Sequence, residues 1–238
     1  MDRVTIPVSP LEMKAVAIII DDVGHSHPAA RPFIEMDHPV ALSILPDRPF
    51  SSELAFEAER RGKTVLLHLP MEPEDYPRVD PGPGAILLTQ NADEIREIIG
   101  REIASLPMIA GINNHMGSKA TADARVMETV LTIIAERGLF FVDSRTTPET
   151  IALDLARQLD IPSARRDVFL DNDLRPSAID ARIDELLDLA EKNGRAIGIG
   201  HANVETARAL ERMAVKVRER RIQWISLESL IAYADPGN

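Results

Sequence analysis

The chain has 238 residues, no cysteine and a formal net charge of −11, with 27 Lys and Arg against 38 Asp and Glu. The lack of cysteine excludes disulfide bonds, thiolate metal sites and a cysteine nucleophile. An acidic chain without a Lys/Arg-rich run is not expected to bind nucleic acid or an anionic membrane surface. No apolar stretch approaches the ~18–20 residues of a transmembrane helix. The start of the chain lacks the basic-then-apolar order of a signal peptide.

Short apolar runs rich in β-branched residues alternate with amphipathic stretches along nearly the whole chain. Several runs are apolar at every position, which is typical of strands covered by helices on both faces. The predicted strands, in chain order, are residues 15–20, 40–45, 64–69, 109–113, 139–142, 168–170, 196–199 and 222–226.

The stretches between these strands carry helix signals. Asn91 stands three residues before Glu94, which is the spacing of a capping box, and apolar residues recur behind it at helical spacing. Other helix starts are predicted at Thr121, at Thr147 with Pro148 in the first turn, near residue 179, and at Asn203 or Thr206.

This alternation of strand and helix predicts an α/β fold with a mainly parallel sheet. Seven or eight units in a chain of this length fit a closed or nearly closed barrel better than an open sheet. We predict one domain over residues 15–238, after an N-terminal extension over residues 1–14. The stretch 72–84 contains four prolines and follows a strand, so we expect a surface loop beside the active face.

Nearly every predicted strand ends on polar residues that are capable of chemistry. In parallel α/β folds the C-terminal ends of the strands meet on one face, where active sites form. Side chains that are far apart in sequence can therefore meet in space. The polar strand ends are Asp21 and Asp22, His68, Asn113 to His115, Asp143 and Ser144, and His201.

One carboxylate and two imidazoles that leave coordination positions open make a hydrolytic site of zinc type. We therefore predict a divalent metal ion at this face, held by one residue of the Asp21–Asp22 pair and by strand-end histidines. A neighbouring carboxylate and a further histidine could move protons there. His25, His27 and His38 lie in proline-punctuated loops and are interpreted as surface residues.

Seven segments spread over residues 15 to about 226 form a second pattern. They are IIIDDVG (18–24), ALSILP (41–46), LLHLPMEP (66–73), GINNHMGSKAT (111–121), FFVDSRT (140–146), ARRDVFLDN (164–172) and GIGHAN (198–203). In this order they resemble the divergent polysaccharide deacetylase family, a branch of the NodB-homology carbohydrate esterases. The resemblance implies a distorted barrel of seven or eight β/α units and metal-dependent removal of N-acetyl groups from a glycan. It also implies zinc as the most suitable metal and a periplasmic or cell-envelope location.

The resemblance assigns roles to particular residues. Asp21 takes the place of the catalytic base, Asp22 that of a metal ligand, and His68 that of the first histidine in the HxxxH metal motif. Glu72 stands where the second histidine of that motif would be. The third ligand is therefore expected to be either His115 or Glu72.

Further roles are expected around this metal site. His201 takes the place of the general acid of the family and would protonate the leaving amine. Arg166 is expected to pair with the catalytic base, and Asp143 to orient a histidine. Asn114 and Ser118 are expected to contact substrate.

Two alternative functions fit the same residues. Because the HxxxH motif is incomplete, the chain could be a non-catalytic envelope protein that keeps the barrel and binds glycan. Aromatic residues, which stack on sugars, are only 4% of the chain, which argues against a dedicated lectin-like groove. The same metal site would also serve the hydrolysis of an ester or a cyclic amide. Phosphoryl transfer is not expected, because the chain has no glycine-rich phosphate-binding loop.

Overall fold

The computed structural model describes residues 14–233. The predicted extension over residues 1–14 lies, apart from Lys14, outside this range. The strands are β1 (Ala15–Val23), β2 (Ala41–Ile44), β3 (Thr64–Met71), β4 (Gly111–Met116), β5 (Phe140–Asp143), β6 (Ser163–Arg165), β7 (Val168–Phe169), β8 (Arg195–His201) and β9 (Gln223–Trp224). The helices are α1 (His27–Glu35), α2 (Ser51–Arg60), α3 (Ala92–Ser105), α4 (Ala124–Glu136), α5 (Ala152–Gln158), α6 (Pro176–Asn193), α7 (Val204–Glu219) and α8 (Leu227–Tyr233).

All eight predicted strands are present, and β6 is an additional one. Two helix starts are also confirmed, because Asn91 and Glu94 form the capping box of α3 and Asn203 caps α7. The predicted helix start at Thr147 is wrong. Its hydroxyl accepts a hydrogen bond from the backbone N–H two residues later, which makes a turn. The helix α5 begins only at Ala152.

All strand pairs in the sheet are parallel, in the order β6-β5-β4-β3-β2-β1-β8-β7, and β9 pairs with the start of β1. The two edge strands β6 and β7 are consecutive in sequence and are separated only by Arg166 and Asp167. The Arg166 N–H donates to the Asp143 carbonyl on β5, and the Asp167 N–H donates to the Ile197 carbonyl on β8. A link of two residues spans only about 10 Å, so the sheet must curl until its edges meet.

The result is the predicted distorted barrel of β/α units. It is not closed by strand pairing, because within the described residues β6 and β7 do not pair with each other.

Two apolar clusters lie on the two faces of the curled sheet, which explains why the strands are apolar throughout. Residues on the convex face, such as Ile18 and Ile20, pack against the surrounding helices. Residues on the concave face, such as Ala17 and Ile19, pack against Leu230 and its neighbours in α8. The helix α8 follows β9 at the N-terminal end of the barrel, so the C-terminal ends of the strands remain available for a site.

Among the described residues, no helix combines the length and the apolar character needed to cross a membrane.

Candidate functional site

Five of the predicted site residues meet at the C-terminal ends of the strands. Asp21 and Asp22 lie near the end of β1, His68 lies in β3, His115 lies in β4, and His201 ends β8. The register of the sheet brings them together, since Asp21 lies beside His201 across β1 and β8. In the same way, β3 and β4 are paired along the segments that carry His68 and His115.

Three of these side chains form a compact cluster, called here the metal cluster: Asp22, His68 and His115. The Asp22 Oδ1 atom lies 3.3 Å from His68 Nε2 and 3.0 Å from His115 Nδ1. The two imidazole nitrogens are 3.2 Å apart. Ligand atoms on one face of a tetrahedral zinc site with bonds of 2.0–2.1 Å are separated by about 3.3 Å. The spacing of these three atoms therefore fits a bound divalent cation.

The chemistry of the donors also fits a cation. The Asp22 Oδ1 atom is buried and has no hydrogen-bond partner of suitable geometry. Although burial would raise the pKa of Asp22, His115 and His68 hold it well below its usual range, so the carboxylate is ionised. Burial lowers the pKa of His115, which favours the neutral ring that a metal ion requires. His68 differs, because Asp21 and Asp22 outweigh its burial and raise its pKa. Protons therefore compete with a cation at His68.

Asn113 orients His68. The Asn113 Nδ2 group donates to Asp21 Oδ1 at 2.9 Å, so the amide oxygen must face the other way, where Ser43 donates to it. The His68 Nδ1 atom lies 2.9 Å from the same oxygen and must therefore carry a proton. In the neutral ring this leaves the Nε2 lone pair directed at the metal cluster. An outer hydrogen bond of this kind is a regular feature of histidines that bind metal ions.

The backbone at the end of β1 places Asp22 beside the histidines. In a regular strand Asp21 and Asp22 would point to opposite faces. The pairing of β1 with β2 is irregular between Ile20 and Val23, and Asp22 has a φ of 59°. This local irregularity re-aims the Asp22 side chain, as β-bulges commonly do near active sites.

Asp21 and His201 flank the metal cluster. Asp21 is 2% exposed, and its Oδ2 atom lies 3.6 Å from His68 Nε2. Burial raises the pKa of Asp21, against the lowering effects of His68 and Asn113. The His201 Nε2 atom lies 4.0 Å from Asp22 Oδ2. A carboxyl group with raised pKa and an imidazole at the two sides of a cation site are suited to accepting and donating protons.

Asp171 holds the His201 ring. The His201 Nδ1 atom lies 2.8 Å from Asp171 Oδ1, and Asp171 Oδ2 accepts hydrogen bonds from the His201 N–H, Asn203 and Thr206. The hydrogen bond to Asp171 raises the pKa of His201 to about 9, although burial opposes it. Near neutral pH the ring is therefore protonated, and its Nε2–H faces the metal cluster.

Two expected roles do not agree with the contacts. Asp143 does not orient a histidine, because its carboxylate accepts hydrogen bonds from Thr150 and from the Arg145 N–H. Asp171 orients His201 instead. Arg166 forms no ion pair with Asp21 among the described residues. Its guanidinium donates to the Ser144 and Arg145 carbonyls and lies over the Phe169 ring.

Three other predicted residues lie outside the metal cluster. The Glu72 carboxylate binds Lys119 and the Leu88 N–H, and it is His115, not Glu72, whose ligand atom lies close to those of Asp22 and His68. The Asn114 side chain is buried between the Met116 carbonyl and the Ser144 N–H, which corrects its expected contact with substrate. The Ser118 hydroxyl accepts a hydrogen bond from the Glu74 N–H, and its contact with substrate stays a prediction.

Asn113, Asp171 and Ser43 contribute to the site although no role is predicted for them from the sequence. Asp171 could have been predicted as a site residue. It directly follows the predicted strand over 168–170, just as the other polar residues directly follow their strands. The sequence marks Asn113 only as part of a polar strand end. Ser43 lies inside the short strand β2, and no sequence signal marks it.

Comparisons with known proteins agree with this fold. Residues 18–231 match the sequence profile named divergent polysaccharide deacetylase. An uncharacterized protein of Escherichia coli, YibQ, is 34% identical over 205 residues, which cover 86% of this chain and 64% of YibQ. The chain thus spans slightly less than two thirds of the length of that relative.

Solved structures share the architecture. The uncharacterized protein ATU2773 from Agrobacterium tumefaciens is 27% identical, with a TM-score of 0.87 over 94% of this chain and 92% of that protein. The catalytic domain of a peptidoglycan N-acetylglucosamine deacetylase from Eubacterium rectale has a TM-score of 0.56 at 11% identity, covering 90% and 88% of the two chains. A CE4 family pseudoenzyme from Bacillus anthracis has the same TM-score at 14% identity, covering 92% of this chain and 66% of that one.

The match over residues 18–231 includes every residue of the metal cluster as well as Asp21, Asp171 and His201. The distorted barrel and its polar strand ends are those expected from the seven sequence segments. On this evidence, the chain is a member of the divergent polysaccharide deacetylase family.

Proposed function

We propose that the protein is a metal-dependent hydrolase that removes N-acetyl groups from a cell-envelope polysaccharide. The single observation that carries this proposal is the triangle of Asp22, His68 and His115 ligand atoms, 3.0–3.3 Å apart, between Asp21 and His201. Zinc is the metal that best suits two imidazoles and one carboxylate with open positions. When bound, such an ion polarises a carbonyl oxygen and lowers the pKa of a coordinated water to about 7.

Two residues of the chain then carry out the two proton transfers, and two others hold them in place. Asp21, whose pKa burial raises, is the base that takes a proton from the attacking water. His201 carries a proton on Nε2 and gives it to the amine nitrogen as the C–N bond breaks, which leaves acetate and a free amino sugar. Asp171 keeps His201 protonated and correctly oriented until that step. Asn113 keeps Asp21 and His68 in place.

The test combines metal analysis with acetate release. We expect the purified protein to bind about one zinc per chain and to release acetate from chito-oligosaccharides or peptidoglycan. His115→Ala should lose both properties. His25→Ala is the matched control, because His25 is an exposed loop histidine, and it should keep both. Full acetate release by a metal-free His115→Ala protein would overturn the mechanism.

A non-catalytic glycan-binding protein is the second candidate, because the fold is shared equally with a deacetylase and with a pseudoenzyme. Glycan binding without acetate release, with zinc, cobalt, nickel or manganese supplied in turn, would favour this candidate. Acetate release from an O-acetyl ester but not from an N-acetyl sugar would instead identify an esterase.

A polysaccharide of the envelope implies a location outside the cytoplasm. Fractionation of cells that produce the tagged full-length protein tests this part of the proposal. Recovery in the cytoplasmic fraction alone would contradict it.

A further inference from the structure

The barrel wall has a gap near the place where its two edges meet. The strand β7 pairs with β8 only at Gly198 and Ile199. The N-terminal part of β8, Arg195–Ile197, pairs with β1 on one side. On its other side it has no neighbouring strand among the described residues. A cavity of about 310 Å³, called here the seam cavity, lies in this gap between β6, the start of β8, α5 and α8.

Three arginines from different elements line the seam cavity. Arg157 comes from α5, Arg165 from β6 and Arg195 from β8. Among the described residues, none of the three guanidinium groups forms an ion pair or a side-chain hydrogen bond. Elsewhere, arginines such as Arg96 and Arg220 do bind carboxylates. Three positive charges from three separate elements surround one cavity with a single carboxylate, Asp167, beside them, and this local excess of positive charge indicates an anion as their partner.

The remaining polar groups of the cavity support this inference. The Asp167 Oδ2 atom accepts a hydrogen bond from the Ile197 N–H, and its charge offsets only one of the three positive charges. The Ser163 hydroxyl oxygen is buried and has no hydrogen-bond partner in the described structure. Burial, and then the positive charge of Arg157, lower the pKa of Arg195 although Asp167 opposes them. An anion between Arg157 and Arg195 would relieve the repulsion between their charges.

We propose that the seam cavity binds the phosphate group of a small ligand. Guanidinium groups bind phosphate oxygens through paired, charge-assisted hydrogen bonds, and three of them around one cavity suit an anion with several oxygens. The volume is within the range of small-molecule sites and exceeds the needs of a bare phosphate ion, so a small organic phosphate is the class of ligand that fits.

This site is separate from the proposed catalytic centre. The strand β8 begins at Arg195 and ends at His201, and six residues of strand span about 20 Å. Phosphate binding therefore does not depend on the deacetylase proposal, and the His115→Ala protein should bind phosphate as the unaltered protein does.

Isothermal titration calorimetry at constant ionic strength tests the proposal, with inorganic phosphate and glucose 6-phosphate as probes and glucose and acetate as controls. We expect both phosphate compounds to bind, the sugar phosphate more tightly. Arg165→Gln and Arg195→Gln should each weaken binding about 10–100-fold, since each removes a charge-assisted contact. Asp167→Asn should tighten binding, because it removes the opposing charge.

Arg218→Gln is the matched control, since it removes the same charge from an exposed position in α7. Its effect on binding should be less than about twofold. Thermal unfolding of each variant without ligand verifies that it is folded, and Arg157→Gln replaces any variant that is not. An equal loss with Arg218→Gln, acetate binding as tight as that of phosphate, or no binding of either phosphate compound at millimolar concentration would overturn the proposal.

Discussion

At the scale of single residues, the geometry of the metal cluster depends on a residue that is not itself a proposed ligand. Asn113 is fully buried and contacts Asp21, Ser43, His68 and Ser144. Its amide group can serve the carboxylate on one side and the imidazole on the other, because it offers both a donor and an acceptor. The orientation of the proposed base and that of one proposed ligand are therefore fixed by the same side chain.

Asn113→Ala should weaken zinc binding about 10–100-fold, because His68 loses the hydrogen bond that orients it. It should also lower the free energy of unfolding by about 1–3 kcal/mol for each buried group left unpaired. Competition with a chromophoric chelator and urea unfolding measure the two effects. Asn91→Ala removes the cap of α3 and should cost about 1 kcal/mol without changing zinc affinity. Unchanged zinc affinity in Asn113→Ala would contradict this account.

Asp171→Asn should lower the pKa of His201 from about 9 towards its ordinary value of about 6.5. NMR titration of the ring in the metal-free protein measures it, and Asp173→Asn is the control, because this nearby carboxylate pairs with Arg175 and not with His201. Because the pKa of His201 is higher in the folded state, the pair stabilises the fold fully below about pH 6.5. This contribution is lost as the pH rises through about 9 and is absent in Asp171→Asn. If the midpoint of the His201 titration were the same in Asp171→Asn as in the unaltered protein, Asp171 would have no part in the proposed mechanism.

The polar strand ends could be predicted because parallel strands bring their C-terminal ends to one face whatever the sequence separation. The convergence of the strand ends that carry Asp22, His68 and His115 follows from this rule, whereas the direction of the Asp22 side chain depends on the local irregularity of β1. The partners of Glu72 and Asp143 could not be predicted in this way, because both carboxylates lie near the site but turn to Lys119 and Thr150. Side-chain direction at the end of a strand depends on local backbone geometry, which the hydrophobic pattern does not determine.

At the scale of elements, close packing between β4 and β5 requires a residue without a side chain. A Cβ atom on Gly111 would lie 2.5 Å from the Phe140 ring and 2.7 Å from its carbonyl oxygen. The ring could turn aside, but the carbonyl belongs to the backbone of the neighbouring strand. The conformation of Gly111 is ordinary, so the requirement comes from the approach of the two strands.

Gly111→Ala should therefore lower the free energy of unfolding by about 1–3 kcal/mol, as overpacked core positions do. Gly100→Ala is the matched control in the middle of α3, where the nearest outside atom lies 3.9 Å from the added Cβ. It should stabilise the protein by about 0.5–1 kcal/mol, because alanine favours a helix more than glycine does. Chemical denaturation measures both, and destabilisation of equal size in the two variants would contradict the packing argument.

Most elements were predictable because their apolar runs are long and their caps are strong. The strand β6 was missed because its three residues, Ser-Ala-Arg, carry no apolar pattern. The start of α5 was misplaced because Thr147 and Pro148 favour a turn as readily as a helix. In both cases tertiary contacts decide the structure. The strand β6 is held by pairing with β5, and the turn is held by the hydrogen bond that the Thr150 hydroxyl donates to Asp143.

At the scale of the whole molecule, the barrel is least continuous where β6 and β7 meet. Central strands such as β1 have neighbours on both sides, whereas β6 pairs only with β5. Local opening of a fold begins where fewest interactions must break.

Amide hydrogen exchange should therefore be faster at Ala164 and Arg165 than at Ile18 and Ile19. Mass spectrometry of peptic fragments measures this, and Arg166→Ala should accelerate exchange in β6 further, because Arg166 binds the end of β5. Equal protection of β1 and β6 against exchange would show that the barrel is as continuous where β6 and β7 meet as it is at β1.

The left-handed backbone at Asp22 also limits how this protein can evolve. A φ of 59° costs most L-residues about 1–2 kcal/mol, whereas aspartate, asparagine and glycine tolerate it. Cysteine or glutamate at this position would have to compensate for that conformational cost before offering a new donor atom. Mutational routes that exchange the Asp22 carboxylate for another type of donor are therefore narrow, and the shape of one peptide unit restricts which side chains can stand beside His68 and His115.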